Sequence, residues 1–276
     1  MFWTRSLSMS KGFLWFCQNN KKTDYVKLSI LLAESIKRYN KENKICVVTD
    51  EASKFTNKNV DFVKILKKDD SAEHDIKWAN EYKAFELTPF KHTIKLEADM
   101  LWNQNTDWWW YHLWQNDLVF SVDCKNYRDR IVKDTFYRQL FLRNRLPNIY
   151  NGLMYFRKSK KAQNFFQLCE VIYKNWNAVK NDLLIACHDT YPSTDVVFAL
   201  AYRIIDPTQT HLVDYNWFKF IHNKSNIHGL GHIKSSNQYL YPNKVKDQIY
   251  FGEEKVSSVL HYFEKQLPEE IDARIF

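Results

Sequence analysis

Thr93-Ile94-Lys95-Leu96-Glu97-Ala98-Asp99 is an apolar run that ends on two acidic residues. Successive side chains alternate sides along a strand, so Glu97 and Asp99, at i and i+2, point the same way. Two carboxylates on one side of a strand end can grip a hard divalent cation, and that cation can grip a diphosphate. An E-x-D triplet by itself also reads as a solvated turn. The residues on either side of it decide between the two.

Upstream, Gly12-Phe13-Leu14-Trp15-Phe16-Cys17 reads as a buried strand, followed by the polar loop Gln18-Asn19-Asn20. Thr23 or Asp24 caps a helix running to about Tyr39. Lys44 to Val48 is a second strand ending at Thr49-Asp50, and Val60 to Ile65 alternates as a third. Trp78 to Leu87 reads as a helix stopped by Thr88-Pro89. Leu118 to Val122 reads as a strand, Tyr127 to Arg145 as a basic helix and Gly152 to Phe156 as a strand. Ser159 to Trp176 and Thr194 to Ile204 read as helices, and Val259 to Phe263 as a strand. Strand–helix–strand alternation predicts a parallel sheet wound with helices, with ligands outside the carboxyl ends of the strands. Gln18, Asn19, Asp50, Glu97 and Asp99 all fall at such ends.

The chain has 276 residues, with 40 Lys and Arg against 32 Asp and Glu, a net charge of +8 that favours an anionic substrate or partner. Only five glycines are present, and neither a P-loop nor a G-x-G-x-x-G motif occurs, so phosphate binding by a Gly-rich backbone cradle is not expected. Five scattered cysteines with no C-x-x-C argue for a reduced, cytoplasmic protein without a zinc site. No stretch reaches about 18 apolar residues, and the N-terminus has no apolar core of a signal peptide, so no membrane span is expected.

The ordered set of short motifs resembles the nucleotide-sugar glycosyltransferases of the GT-A fold. It is most similar to the retaining, metal-dependent enzymes related to glycogenin and the bacterial galactosyltransferases. The resemblance implies an α/β fold: a single GT-A-like domain over 1–276 with a Rossmann-like, mostly parallel sheet flanked by helices. Residues 1–122 would form the nucleotide-sugar half, and 123–276 the acceptor half with a C-terminal metal-ligand segment. It places Gln18, Asn19 and Asn20 at the nucleoside, Asp50 near the base and Lys83 at the donor phosphates. Glu97-Ala98-Asp99 matches the family's D-x-D with Glu in the first place. Asp99 is then the expected direct ligand, and Glu97 ligates directly or through water. Asn151, in Tyr150-Asn151-Gly152, would touch donor sugar or acceptor, and Asp195, in Ser193-Thr194-Asp195, would bond sugar hydroxyls near the reacting carbon. His261-Tyr262-Phe263-Glu264-Lys265-Gln266-Leu267-Pro268 resembles the terminal H-x-x-G-x-x-K-P, with His261 as the third metal ligand and Lys265 at the diphosphate. Ile221-His222-Asn223-Lys224 offers His222 as the alternative ligand.

These expectations imply Mn²⁺ or Mg²⁺, a nucleotide-sugar donor (a UDP-sugar favoured), and transfer to an acceptor hydroxyl with either stereochemical outcome. The chain also resembles GT-A-like proteins of tailed bacteriophages, some of which glycosylate hydroxymethylated bases of their own DNA. With the basic stretch, this makes duplex DNA the leading acceptor expectation and the host cytoplasm the expected location. A glycan, lipid or protein acceptor, a non-catalytic sugar- or nucleic-acid-binding module of the same fold, and a nucleotidyltransferase are the rivals. In Asp107-Trp108-Trp109-Trp110-Tyr111-His112-Leu113-Trp114, the helical face Trp110, Leu113 and Trp114 is expected in the core.

Overall fold

In the computed structural model, which describes residues 11–71, 76–224, 242–245, 248–251 and 253–262, the chain forms an α/β fold. The first part runs β1 (Lys11–Cys17), α1 (Tyr25–Tyr39), β2 (Lys44–Thr49), β3 (Phe62–Ile65), a 3-10 helix (Lys77–Lys83), α2 (Ala84–Leu87) and β4 (His92–Leu96). It continues with β5 (Met100–Leu101), α3 (Trp109–Leu113), β6 (Leu118–Val122), β7 (Cys124–Lys125), β8 (Ile131–Val132), α4 (Gln139–Asn144) and β9 (Ile149–Arg157). Then come α5 (Lys160–Lys174), α6 (Trp176–Leu183), α7 (Thr194–Ile205), β10 (Ile221–Asn223), β11 (Pro242–Val245), β12 (Gln248–Phe251), β13 (Glu254–Lys255) and β14 (Leu260–Tyr262).

The main sheet has the order β3-β2-β1-β4-β9-β6. Its β1, β2, β3 and β4 are parallel, and β9 runs antiparallel to both neighbours. The mostly parallel sheet is as expected. β9 comes from the second half of the chain yet lies between β4 and β6, so both halves complete one sheet. The near-continuous apolar sequences of β1 and β2 follow from this position, because both faces are covered, and β4 is buried along its whole length. Gly12 is required in β1: a Cβ there would fall 2.4 Å from the Phe90 ring and 2.7 Å from the Lys44 carbonyl.

A second sheet, β5-β14-β10-β7-β8, sits beyond the carboxyl end of β4. It pairs β14 antiparallel to β5, with His261 opposite Met100, and parallel to β10, with His261 opposite His222. Non-local pairing thus brings residue 261 beside residue 99.

Local signals set the helix starts. Asp24 caps α1 by accepting from the Lys27 N–H, Ser159 caps α5 through the Ala162 N–H, and Ser193 caps α7 through the Val196 N–H. Three expectations are corrected. The helix expected over 127–145 is absent apart from α4. Asn126 Oδ1 instead accepts the N–H groups of Arg128 and Arg130, and Asp134 Oδ1 accepts that of Phe136. These side chains offer the backbone turns in place of helix, and Asp129 adopts a left-handed φ of 58°. The helix expected over 78–87 is mostly 3-10, with four consecutive buried residues, Ala79 to Tyr82, more than one α-helical stripe accommodates. In the tryptophan cluster Trp109 and Trp110 are buried with Leu113, while Trp114 is 37% exposed and stacks on His92. Among the described residues no helix is long and apolar enough to cross a membrane.

Candidate active site

At the carboxyl ends of β1 and β4, Gln18, Glu81, Glu97, Asp99, Asn151, Asp195 and His261 surround a cleft of about 390 Å³, which Lys77, Trp78, Ser193 and Thr194 also line. Glu97 and Asp99 leave β4 on its carboxyl side, and β5 turns straight back against β14. The Tyr262 N–H donates to the Asp99 carbonyl at 3.2 Å, which locks that pairing next to the acidic residue. As a result His261 Nε2 lies 3.0 Å from Glu97 Oε2 and 3.3 Å from Asp99 Oδ2. One ligand atom from each residue falls within 4.8 Å of the others. Two carboxylate oxygens and an imidazole nitrogen form a donor set for a hard or borderline divalent ion, Mg²⁺ or Mn²⁺, and the imidazole favours Mn²⁺. Glu97 and Asp99 are therefore placed alike, and the longer side chain at 97 reaches the same point.

His222 stands behind His261, the two Nδ1 atoms 2.9 Å apart. Burial, and then the neighbouring His261, hold His222 well below the usual imidazole range, so it is neutral. A neutral partner on Nδ1 fixes the His261 ring and leaves Nε2 facing the carboxylates. The two candidate histidines are thus placed together, one facing the cleft and one supporting it.

β9 supplies the opposite wall. Its register against β6 shifts after Phe120, which is paired with Met154, because the next residue, Ser121, pairs with Tyr150. The bulge takes Asn151 and Gly152 out of that pairing, and Asn151 lines the cleft. The Asn151 side-chain amide donates to Glu97 Oε1 at 3.1 Å, and its backbone N–H donates to Asp195 Oδ1 at 2.7 Å. Gly152 is needed for a close approach: a Cβ there would stand 3.0 Å from Glu97 Oε2. Gly152→Ala is expected to leave the fold intact but displace the Glu97 carboxylate. Mn²⁺ affinity, read by isothermal titration, should fall about tenfold, a change of about 1.4 kcal/mol. Unchanged affinity would remove Glu97 from the ligand set.

Two cations that reasoning from the sequence did not assign lie beneath the floor. Lys95, fully buried in mid-strand, reaches Glu81 Oε2 at 2.6 Å and donates to Asn151 Oδ1 at 2.6 Å. Arg138 contacts Asp195 Oδ2 at 3.1 Å, donates to Asn148 Oδ1 and the Ile149 carbonyl, and lies over the rings of Phe141 and Tyr150, at 3.5 and 4.2 Å. A signal for Lys95 was present: a lysine in an otherwise apolar buried strand must find a partner. Arg138 had none, because its residue type was absorbed into an apparent surface helix.

Burial pushes the Asp195 carboxyl up from its usual value, and Arg138 opposes this. Burial likewise pushes Glu81 up, against the pull of Lys95. Of the four carboxylates lining the cleft, Glu81 and Asp195 each have such a cation. Glu97 and Asp99 converge on the His261 imidazole.

The remaining expected residues divide. Gln18 lines the cleft, its amide donating to Asp50 Oδ2 at 3.0 Å and to Asp69 Oδ2 at 2.9 Å. Asn19 Oδ1 accepts the Val26 N–H, Asn20 Oδ1 accepts those of Lys22 and Thr23, and Asp50 Oδ1 accepts that of Ser53. These three shape the loops after β1 and β2 and are not among the described lining residues. Lys83 turns away to Asp70, at 3.1 Å, and to the Lys68 carbonyl. Among the described residues, the lysine that lines the cleft is Lys77. Lys265 lies outside the described residues.

The chain has the α/β fold of the GT-A type seen in solved glycosyltransferases. It aligns with the galactosyltransferase LgtC solved with donor and acceptor sugar analogs, at a TM-score of 0.51 and 12% identity over 95% of this chain and 99% of that one. An active-site mutant of LgtC aligns at 0.53 and 12% identity, over 91% and 87% of the two chains. Mouse xyloside xylosyltransferase 1 in its apo form aligns at 0.50 and 10% identity, over 91% and 97%. No family model and no curated protein matches the sequence.

Proposed function

We propose that the chain is a metal-dependent glycosyltransferase that moves a sugar from a nucleoside-diphosphate sugar, a UDP-sugar being favoured, to an acceptor hydroxyl. The observation that carries this reading is the convergence of Glu97, Asp99 and His261 at the end of β4, beside Asn151 and Asp195. Glu97, Asp99 and His261 would hold Mn²⁺ or Mg²⁺, which supplies charge stabilisation to the leaving diphosphate. Gln18 takes the nucleoside side of the cleft. Lys77 lines the cleft as a phosphate partner, and Lys224 lies close enough to Asp195 and Arg138 to feel their charge. Asp195, held by the Asn151 N–H and Arg138, accepts hydrogen bonds from donor-sugar hydroxyls and stabilises positive charge on the anomeric carbon.

The test is hydrolysis of a panel of UDP-hexoses and UDP-pentoses with Mn²⁺, read as release of UDP and free sugar. The neighbours named for galactose and xylose justify both classes. Metal-dependent release from one donor is expected. A folded protein that turns over no nucleotide sugar with either ion is instead the non-catalytic module. With an active donor, the acid limb of kcat should lie above the ordinary aspartate value of 3.8, because Asp195 is raised and must be ionised. Arg138→Gln removes the group that opposes the rise, so the limb should move further up. A limb that stays in place would separate Asp195 from the rate.

Duplex DNA as acceptor keeps the net charge of +8 as its support. The continuous basic helix does not form. Arg138 is buried, Lys133 pairs with Asp123 at 2.9 Å, and Arg128 approaches Glu254 at 3.9 Å. Binding to duplex DNA across 50–200 mM salt decides the point: a phosphate-tracking surface loses affinity steeply.

A further inference from the structure

A second cleft, of about 550 Å³, lies next to the first. Trp78 and Ser193 line the first cleft, and Tyr191 and Pro192 line the second. The Trp78 indole N–H donates to the Pro192 carbonyl at 3.0 Å, so the two clefts share a wall. That bond holds the indole on the rim, where Trp78 is 44% exposed. Tyr191, 40% exposed, continues the aromatic surface into the second cleft. Tyr173 and Trp176 line it further in, and both are anchored. The Tyr173 ring packs 5.9 Å from that of Tyr82, and the Trp176 indole donates to the Asp189 carbonyl at 2.9 Å.

Between these rings Asn177 and Thr190 offer amide and hydroxyl groups. Three charged groups line this cleft as well: Lys174 pairs with Glu170, Asp70 pairs with Lys83, and Lys68 stands exposed. Aromatic rings beside neutral hydrogen-bonding groups suit a polyhydroxylated, uncharged ligand. The C–H face of a pyranose covers an aromatic ring while its hydroxyls bond amides and hydroxyls. A phosphate backbone would instead call for a row of lysines and arginines, whereas among the described residues Lys68 and Lys174 are the cations that line this cleft. The volume falls in the ordinary range of small-ligand sites, roughly 300–1,000 Å³.

We propose that the second cleft is a distal subsite for a carbohydrate acceptor. The reacting hydroxyl lies in the first cleft, and the adjoining sugar residues of the same oligosaccharide rest over Trp78 and Tyr191. This rests on the glycosyltransferase reading and names its substrate class. A monosaccharide would fill only the first cleft, so affinity should rise with acceptor length.

The test uses the full chain with UDP and Mn²⁺ on an array of neutral oligosaccharides, followed by calorimetry on the tightest member. Wild type is expected to retain oligosaccharides in preference to their terminal monosaccharides. Tyr191→Ala should weaken that binding at least about tenfold and Tyr191→Trp, which keeps a stacking face, should retain it. Hydrolysis of the nucleotide sugar without acceptor should stay within about twofold in both variants, which also shows that they fold. A silent array, equal binding by Tyr191→Ala, or retention of duplex DNA alone overturns the subsite. Failure of wild type to hydrolyse any nucleotide sugar overturns the underlying reading instead, whatever the array shows.

Discussion

Asp99→Ala is expected to cut nucleotide-sugar turnover by about 1,000-fold or more, equivalent to about 4 kcal/mol of transition-state stabilisation. Asp99 is 3% exposed, and its Oδ2 lies with Glu97 Oε2 around one imidazole nitrogen. Its removal leaves one carboxylate and His261, too few protein ligands to fix an ion against competing water. Calorimetric titration with Mn²⁺ should therefore lose its binding signal along with the activity. The fold should not suffer. In the absence of an ion, Glu97 and Asp99 are like charges in close contact, and taking one away relieves repulsion. His261 keeps Glu97 at 3.0 Å and His222 behind it. The melting temperature is expected to hold or rise. Turnover within tenfold of wild type would end the metal assignment, and a large drop in melting temperature would recast Asp99 as a structural residue.

Lys95→Met carries the largest expected effect on stability, a loss of about 3–5 kcal/mol near pH 8. The Lys95 side chain is fully buried and makes an ion pair with Glu81 and a hydrogen bond to Asn151 Oδ1. Methionine fills a similar volume but strands the Glu81 carboxylate in a site whose burial already pushes it up from 4.5. The sign of the pH dependence follows. Without Lys95 the native state holds a proton on Glu81 that the unfolded chain releases above its own pKa. Stability then falls as pH rises, until native Glu81 ionises in turn. The deficit should thus be smaller at pH 5 than at pH 8, as read by urea denaturation. Adding Glu81→Gln removes the stranded charge and should restore most of the loss. A deficit under about 1 kcal/mol at pH 8, or no recovery in the double variant, would show that the pair contributes little.

Much of the framework could be read from local sequence. Asp24 announced a helix through a side chain that satisfies a first-turn N–H group, and the apolar runs of β1, β2 and β4 announced buried strands. The failures also have local causes. Asn126 and Asp134 diverted the basic stretch into turns, a competition that charge periodicity does not register. Lys83 stood at the expected place before the acidic strand, but a 3-10 helix winds differently from an α-helix. It turned Lys83 to Asp70 and left Lys77 at the cleft.

By itself the sequence determined the strand that ends in Glu97 and Asp99, the direction both side chains take, and the sheet that carries them. Each follows from alternation and hydrophobic runs over a few residues. Only the tertiary structure decided which histidine faces those carboxylates. The β5–β14 register sets His261 against them and the β14–β10 register sets His222 behind it. It also decided that Lys95 and Arg138 hold Glu81 and Asp195 in place. Those partners are 14 and 57 residues apart in the chain, and pairing across such separations is fixed by how strands and helices pack, which no local pattern encodes.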